Sequence, residues 1–376
     1  MPLLLTMTVL GFSGYAALLA VAPLWAVHGG ADTVGAGLVN GVLMLFTVLT
    51  QLFVPGALRR FGWAPVLVAG MLLLGLPALA HGISDALGPT LALSAVRGLG
   101  FGVLTVTGSA LVAELVEPQR RGQAIGAYGL AIAGPQILFL SAGPWIAEQL
   151  GFWVVFTLAA LPVVAVVPAI GLARMVDHVP EGDEEGERAP YRRLLPPMAL
   201  LIAVTLAGGA LITFMAQMSS SAGLTALALL LMSVAAALAR WRIGAWSDRY
   251  GPRRFIAPLV LVTTAGMAVL AWAVRDPRAT EAPMLMVGAT MVGISYGGLQ
   301  NLTLVVTFQA VSRQHYGPAS AVWNIGFDAG TGLGAVLVGT VAAGTSFSTA
   351  LLVAGAVSLL TLPLALRRRA PGAGVS

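Results

Sequence analysis

One acidic residue, Asp328, lies within a long apolar stretch near the C-terminal end of the sequence. Glycines surround it, and Asn324 lies one helical turn before it on the same side. A charge at the centre of a bilayer costs about 2.5–3.5 kcal/mol on insertion scales, so such residues usually face a protein interior or a water-filled cavity. Asp328 is therefore a candidate proton-coupling carboxylate. The alternatives are an Asp that stays ionised in a structural pair, or one that caps a broken helix.

Arg97 is the second ionisable residue within an apolar stretch, in the segment Arg97-Gly-Leu-Gly-Phe-Gly102. It is a candidate for proton coupling or for recognition of substrate charge. The alternatives are that its guanidinium binds backbone carbonyls or extends to the outer interface. An ion pair between Arg97 and Asp328 would join the N-terminal and C-terminal parts of the chain.

Other polar and amphipathic side chains in apolar stretches are candidates for contact with a substrate. They are Tyr15, Asn40, Gln136, Tyr296, Gln300, Asn301, Trp323 and Asn324. Hydrogen bonds between membrane helices contribute only about 0.6 kcal/mol on average, so many of these residues are expected to join helices instead.

The sequence offers little for other chemistry. It contains no Cys and no Lys, and its four His lie at loops or at the ends of apolar stretches without ligand spacing. Thiol chemistry, Cys-based metal sites and a Lys-containing phosphate-binding loop are therefore excluded. No nucleophile or acid–base pair points to catalysis, so we expect neither an enzyme nor a cofactor.

The composition is that of a membrane protein. Hydrophobic residues make up 58% of the 376 residues and charged residues only 9%, whereas a soluble domain carries roughly 25% charged residues. Most of the surface must therefore face the lipid bilayer. The basic pI does not indicate nucleic-acid binding, because the Arg residues lie in short loops between apolar stretches.

A bilayer core about 30 Å thick needs roughly 20 apolar residues in a helix. This rule predicts twelve spans, at about 3–27, 35–58, 64–84, 88–113, 122–147, 150–174, 194–217, 219–240, 255–274, 283–310, 317–344 and 346–366. The first stretch is too long for a signal peptide and has no basic residues before it.

The distribution of Arg predicts the orientation. With both termini in the cytoplasm, seventeen Arg residues fall in inside loops, and only Arg275 and Arg278 fall outside. The inside set is Arg59, Arg60, Arg120, Arg121, Arg174, Arg188, Arg192, Arg193, Arg240, Arg242, Arg249, Arg253, Arg254, Arg313 and Arg367 to Arg369.

The acidic segment 175–193 is the one long polar stretch, and we interpret it as a cytoplasmic linker. It divides the chain into an N-terminal half, residues 1–174, and a C-terminal half, residues 194–376, which ends in a short cytoplasmic tail. Each half contains six predicted spans.

The segment Gly244-Ala-Trp-Ser-Asp248-Arg249-Tyr-Gly251-Pro-Arg253-Arg254 follows the eighth predicted span. It resembles the cytoplasmic loop signature G-x-x-x-D-R-x-G-R-R of the major facilitator superfamily. In that family the loop latches the inward side and releases during transport. Gly244 is expected to permit close helix approach, and Gly251 a tight turn.

The equivalent N-terminal segment departs from this signature. When Gly62 is aligned with Gly251, Arg59 stands where the Asp should be and Pro55 where the first Gly should be. Glu114 or Glu117 is the expected partner of Arg59 or Arg60 instead. Segments 118–122 and 313–317 form a second repeated pair, before the fifth and eleventh spans.

Two further segments resemble the family in part. Gly134-Pro135 in the fifth span is similar to the signature of proton-coupled efflux members, although Leu130, Leu138 and Phe139 replace its other glycines. Ordinary small-residue packing with a proline kink is the alternative. Family members also carry an Arg in the fourth span followed by glycines, as Arg97 is here.

The resemblance implies an all-α membrane protein with twelve transmembrane helices in two six-helix halves, which works as a monomer. We expect a secondary transporter in the bacterial inner membrane that exports small amphipathic compounds by alternating access, coupled to protons. Proton-linked uptake of a small nutrient is the alternative, and a non-transporting sensor or an enzyme is a third hypothesis.

Overall fold

The computed structural model describes residues 1–115, 121–176, 191–276, 279–312 and 315–366. Within these ranges there are twelve helical segments long and apolar enough to cross a membrane, which confirms the predicted number and the all-α class. Spans 1 to 12 are Pro2–His28, Thr33–Phe61, Trp63–Ile83, Leu87–Val112, Gly126–Gln149, Phe152–Ala173, Arg192–Met218, Ala222–Tyr250, Arg253–Ala273, Ala282–Gln309, Pro318–Gly344 and Phe347–Leu366.

Four spans are not single α-helices. Span 1 comprises Pro2–Leu19 and Val21–His28, and span 3 comprises Trp63–Ala80 and a 3-10 turn, His81–Ile83. Span 6 comprises Phe152–Ala159, Leu161–Val164 and Val166–Ala173, and span 12 comprises Phe347–Leu359 and Leu362–Leu366. Pro162, Pro168 and Pro363 follow the breaks in spans 6 and 12, because proline clashes with the carbonyl four residues earlier.

Four continuous helices extend beyond the spans that they form. They are Leu87–Leu115 in span 4, Arg121–Gln149 in span 5, Tyr191–Met218 in span 7 and Tyr316–Gly344 in span 11.

Span 8 is longer than the sequence predicted. The expected end was residue 240, but the helix continues to Tyr250. The Arg residues after position 239 ended the apolar stretch without ending the helix. Trp241 and Trp246 supply its outer surface, with 67% and 48% of their areas exposed. The segment Gly244–Tyr250 is therefore helix, and only Gly251 and Pro252 lie between spans 8 and 9.

Spans 2 and 8 are structurally equivalent. Each is a helix of 29 residues, Thr33–Phe61 and Ala222–Tyr250. A side chain caps each N-terminus: Asp32 accepts from the Gly35 amide at 2.8 Å, and Ser221 accepts from the Leu224 amide at 3.2 Å.

The two helices also end in the same way. Gly62 and Gly251 follow their last residues with φ of +77° and +82°. Other residues adopt such left-handed values at a cost, which explains a glycine at both places. The repeat read from the sequence therefore extends to the local backbone.

The loops lie alternately at two ends of the helical bundle. We call the end with loops 29–32, 84–86, 150–151, 219–221, 274–276 with 279–281, and 345–346 the Arg-poor end, and the opposite end the Arg-rich end. The linker segment 177–190, residues 116–120 and 313–314 of the second repeated pair, Arg278 and the Arg of the C-terminal tail lie outside the described residues. The division at residues 175–193 stays a prediction.

Spans 2 and 11 pack closely towards the Arg-poor end. A Cβ atom added to Gly332 would lie 2.7 Å from Met44 Cβ, and one added to Gly339 would lie 2.8 Å from the Thr33 carbonyl oxygen. Only glycine permits these helices to approach so closely, as is usual in membrane helix contacts. Asn40 extends the contact to span 7, because its Nδ2 donates to Thr213 Oγ1 at 2.9 Å.

Spans 5 and 8 form the second contact between the first six and the last six spans. At the Arg-rich side of span 5, in contrast, added Cβ atoms on Gly126, Gly129 and Gly134 would meet no described atom within 4 Å. Near the Arg-poor end, a Cβ added to Gly143 would lie 3.2 Å from the Ala17 carbonyl oxygen of span 1. The contact of spans 2 and 11 thus joins the two sets of spans towards the Arg-poor end.

A disulfide between Gly41→Cys and Val336→Cys tests this packing. An ideal Cβ on Gly41 lies 3.9 Å from Val336 Cβ, within the roughly 3.5–4.5 Å that a disulfide requires. We expect oxidation to close it without large backbone movement. Because the chain has no Cys, the loss of thiol-reagent labelling, measured by mass spectrometry, reports this bond directly. Each single-Cys variant should remain fully labelled. Two free thiols after oxidation of the double variant would contradict the packing of spans 2 and 11.

Candidate substrate cavity

A cavity lies between the two sets of spans, in two connected parts of about 160 and 80 Å³. Seven residues line both parts: Ala133, Gln136, Leu140, Ile212, Arg240, Tyr296 and Gln300. The larger part also has Phe12, Tyr15, Leu19, Phe101, Thr105, Ile132, Trp323, Asn324, Phe327, Asp328 and Thr331 on its wall. Spans 1, 4, 5, 7, 8, 10 and 11 thus all contribute.

Asp328 is buried, with 3% of its surface exposed, and lies on the cavity wall. Gln51 Nε2 of span 2 donates to Asp328 Oδ2 at 2.6 Å and also lies 3.1 Å from Thr105 Oγ1 of span 4. Within the described residues, Asp328 has no ion-pair partner. Its carboxylate is therefore stabilised by an amide from the opposite set of spans.

Arg97 has a different environment. It is fully buried, and its Nη2 and Nε donate to the carbonyl oxygens of Gly14 at 2.9 Å and Leu74 at 3.4 Å. It is absent from the cavity wall and forms no ion pair with Asp328 within the described residues. The carbonyl-binding alternative is therefore the one observed, and it joins spans 1, 3 and 4.

The glycines after Arg97 also serve helix packing. A Cβ on Gly102 would lie 2.7 Å from the Thr47 carbonyl oxygen of span 2, and one on Gly98 would collide with the Leu43 carbonyl oxygen. Gly100 lies equally close to the backbone of span 3 at Gly70. The Arg-Gly segment in span 4 is accordingly a packing element between spans 1, 2 and 3.

Aromatic rings cover two sides of the cavity. Tyr15 and Phe101 stack with their planes 2° apart and their centroids 3.7 Å apart. On the other side, Phe327 lies 5.7 Å from Trp323 and 6.1 Å from Tyr296 between ring centroids. Such rings bury a large apolar area and suit aromatic or amphipathic ligands.

Arg240 is the cavity residue that the sequence analysis misplaced. It was expected in an inside loop, but span 8 continues past it and its accessible side chain reaches the cavity. Its Nη2 donates to Gln300 Oε1 of span 10. The alignment of Gly62 with Gly251 was the available signal. Span 2 was predicted to end at residue 58, four positions before Gly62, and the equivalent position in span 8 is residue 247, beyond Arg240.

Six of the eight predicted substrate contacts line the cavity: Tyr15, Gln136, Tyr296, Gln300, Trp323 and Asn324. Asn40 and Asn301 do not. Asn40 Nδ2 donates to the Leu19 carbonyl oxygen and to Thr213 Oγ1. Asn301 Nδ2 donates to the Arg240 carbonyl oxygen at 2.9 Å. Both amides satisfy backbone or hydroxyl groups of neighbouring helices instead of facing the cavity.

The predicted latch residues lie at the Arg-rich end. Arg59, Arg60, Glu114, Asp248, Arg249 and Arg253 are exposed. None of them forms an ion pair with another described residue, so the expected contact of Glu114 with Arg59 or Arg60 is not made in this conformation. Arg60 and Arg249 instead lie over the rings of Phe61 and Tyr250, each at 5.3 Å. Gly244 lies against the Asn301 amide, as close helix approach requires.

A family model described as Major Facilitator Superfamily matches residues 3–274 and 198–376. An uncharacterised MFS-type transporter of Mycobacterium tuberculosis is 26% identical over 122 residues, which cover 32% of this chain and 21% of that protein. The match thus spans about a fifth of the length of this curated relative.

Solved structures share the fold. A bacterial homologue of the human lysosomal transporter Spinster, inward-facing and unoccupied, has a TM-score of 0.74 at 14% identity, covering 97% of this chain and 95% of that one. A mutant of the nucleoside transporter NupG has a TM-score of 0.71 at 12% identity, covering 97% and 99%.

Replacing Arg97 with Gln distinguishes a structural role from a coupling role. Two carbonyl oxygens would lose buried donors, so we expect the free energy of unfolding to fall by about 1–3 kcal/mol. Chemical unfolding in detergent measures this, with the exposed Arg192→Gln variant as the matched control. Unchanged stability together with an altered proton-to-substrate ratio would instead assign Arg97 to coupling.

Proposed function

Since the chain belongs to the Major Facilitator Superfamily, we propose that it is a proton-coupled secondary transporter that exports small amphipathic compounds by alternating access. The observation that carries the proposal is the Asp328 carboxylate, which lies on the cavity wall and is bonded by Gln51 from the opposite set of spans. Asp328 thus lines the proposed transport path and also forms a hydrogen bond between spans 2 and 11. In the proposed cycle, this bond breaks when the cavity opens to the other side of the membrane.

The substrate class follows from the cavity wall. Six aromatic side chains line it: Phe12, Tyr15, Phe101, Tyr296, Trp323 and Phe327. Seven polar side chains share the wall: Thr105, Gln136, Arg240, Gln300, Asn324, Asp328 and Thr331. This combination favours an amphipathic compound with an apolar, ring-containing body and polar groups at its edge.

Coupling is proposed to act through the bond between Asp328 and Gln51. A carboxylate accepts this hydrogen bond more strongly than a neutral carboxylic acid does, because charged acceptors form the stronger bonds. Proton uptake at Asp328 therefore weakens a link between spans 2 and 11. One charge moving through about 100 mV supplies about 2.3 kcal/mol, which maintains a gradient of about 50-fold.

We propose that the transport cycle closes the Arg-poor end and the Arg-rich end in turn. In this structure spans 2 and 11 meet towards the Arg-poor end, while the charged latch residues at the Arg-rich end lack ion-pair partners within the described residues. In the opposite conformation, Asp248 and Glu114 would pair with Arg residues there. We place the Arg-rich end and both termini in the cytoplasm, in the bacterial inner membrane. Each chain holds a complete cavity, which supports a working monomer.

Proton-linked uptake uses the same cavity and the same carboxylate, and it is the second candidate. The open space beside span 5 at the Arg-rich end favours loading from that side in this conformation. Under the proposed orientation, that side is the cytoplasm. Export therefore stays the first proposal, and the direction of proton movement separates the two.

Proton flux in proteoliposomes tests the proposal. Amphipathic ring compounds are added outside liposomes that hold a pH dye inside, with wild type and Asp328→Asn compared. We expect at least one compound to move protons with wild type and not with the variant, while substrate–substrate exchange continues in both. The direction of movement assigns antiport or symport.

The matched control is Asp85→Asn, which makes the same change at an exposed carboxylate that pairs with His28 at 3.0 Å at the Arg-poor end. It should move protons like wild type. Unchanged coupling in Asp328→Asn would refute the role of Asp328, and an absence of proton movement with every transported compound would refute proton coupling.

A further inference from the structure

We propose that Arg240 and Gln300 form a binding site for the carboxylate of an amphipathic organic anion. This inference rests on the proposed function and specifies its substrate class. The apolar body of the ligand would lie against Tyr296, Trp323 and Phe327, and its carboxylate would face the two donors. Arg240 lines the cavity, and the Nε2 donor of Gln300 beside it has no partner within the described residues.

Arg240 lies within span 8, where the apolar stretch of that helix ends. It is ten positions before Tyr250 at the end of the span, which corresponds to about 15 Å along the helix. A charge within a membrane span is expensive unless it faces a cavity or a partner of opposite charge. Its accessible guanidinium meets the first condition, because it lines both parts of the cavity.

Span 10 fixes the position of Arg240 at both its backbone and its side chain. Asn301 Nδ2 donates to the Arg240 carbonyl oxygen at 2.9 Å, and Gln300 Oε1 accepts from Arg240 Nη2. Gly244 gives Asn301 the room for this approach, since a Cβ there would collide with the amide. A guanidinium held in this way presents its remaining N–H groups in one direction, as recognition of a planar carboxylate requires.

Gln300 has a buried side-chain donor without a partner within the described residues. Its side chain is 4% exposed, and its Nε2 is buried with no hydrogen-bond partner within the described residues. A buried donor without an acceptor is costly, so a ligand that supplies one binds favourably. The orientation of the amide is fixed by the bond from Arg240, which leaves Nε2 as the free group.

The described wall carries one arginine, Arg240, and one carboxylate, Asp328. Asp328 is the carboxylate on this wall, and Gln51 occupies its Oδ2 from span 2. Arg240 has no ion-pair partner within the described residues. Arg240, whose Nη2 donates to Gln300, and Gln300, whose Nε2 has no partner within the described residues, therefore lie beside an aromatic surface. A monocarboxylate on a ring system satisfies all of these groups together.

The experiment compares two probes of one shape, 2-naphthoate and its neutral amide, 2-naphthamide. Their dissociation constants are measured by titration calorimetry with the purified full-length protein in detergent. We expect wild type to bind the carboxylate about 10-fold or more tightly than the amide, because charged hydrogen bonds exceed neutral ones by such a factor. In Arg240→Gln the two probes should bind equally, with the amide affinity within about 3-fold of wild type.

Two further variants complete the test. Arg242→Gln removes an exposed charge two positions along the same helix and should keep the preference. Gln300→Glu places an internal carboxylate beside Arg240 and should abolish the preference without removing the arginine, so the test survives if Arg240→Gln does not fold. Equal affinity of wild type for both probes, including no binding of either, overturns the proposal, as does a preference that persists in the folded Arg240→Gln or Gln300→Glu variant.

The result of this binding experiment can be interpreted independently of the proton-flux experiment. Binding in detergent needs no proton gradient and leaves Asp328 unchanged. Loss of the carboxylate preference would leave proton-coupled transport of neutral compounds intact. Failure of the proton-flux experiment would leave the anion site standing within a transporter that is not coupled to protons.

Discussion

The hydrogen bond between Gln51 and Asp328 is the interaction on which the arrangement of the two sets of spans depends most directly. It lies between spans 2 and 11, where a carboxylate removed from water must find a donor within the protein. Glycines continue this contact towards the Arg-poor end, where Gly332 and Gly339 bring the backbones together. This polar bond and the close packing beyond it therefore define a single interface between spans 2 and 11.

The membrane interior explains where the polar side chains lie. Because lipid offers no hydrogen bonds, buried polar groups pair within the bundle or face the cavity. Arg97 takes the first course and binds two carbonyls, whereas Arg240 takes the second and faces the cavity. Arg97 thus joins helices of the first six spans, whereas Arg240 contributes to the cavity wall.

Spans 2 and 8 share one local backbone structure but carry different polar side chains. Both helices have 29 residues, a capped start and a left-handed glycine at the end. Span 2 carries Gln51 towards Asp328, and span 8 carries Arg240 into the cavity. The common backbone fixes the depth of each polar residue, and the differing side chains give the two halves different chemistry.

The sequence by itself determined the number of spans, the glycine turns and the position of Asp328 within a span, because length, hydropathy and a charge inside an apolar stretch are local properties. It also predicted the family, from the segment around Asp248. Only the tertiary structure decided that Arg97 binds carbonyls, that Asn40 and Asn301 join helices, and that Arg240 belongs to the cavity. Hydropathy reports how apolar a stretch is, but not which face of a helix a neighbour covers. The partner of each polar side chain is therefore set by packing between segments far apart in the sequence.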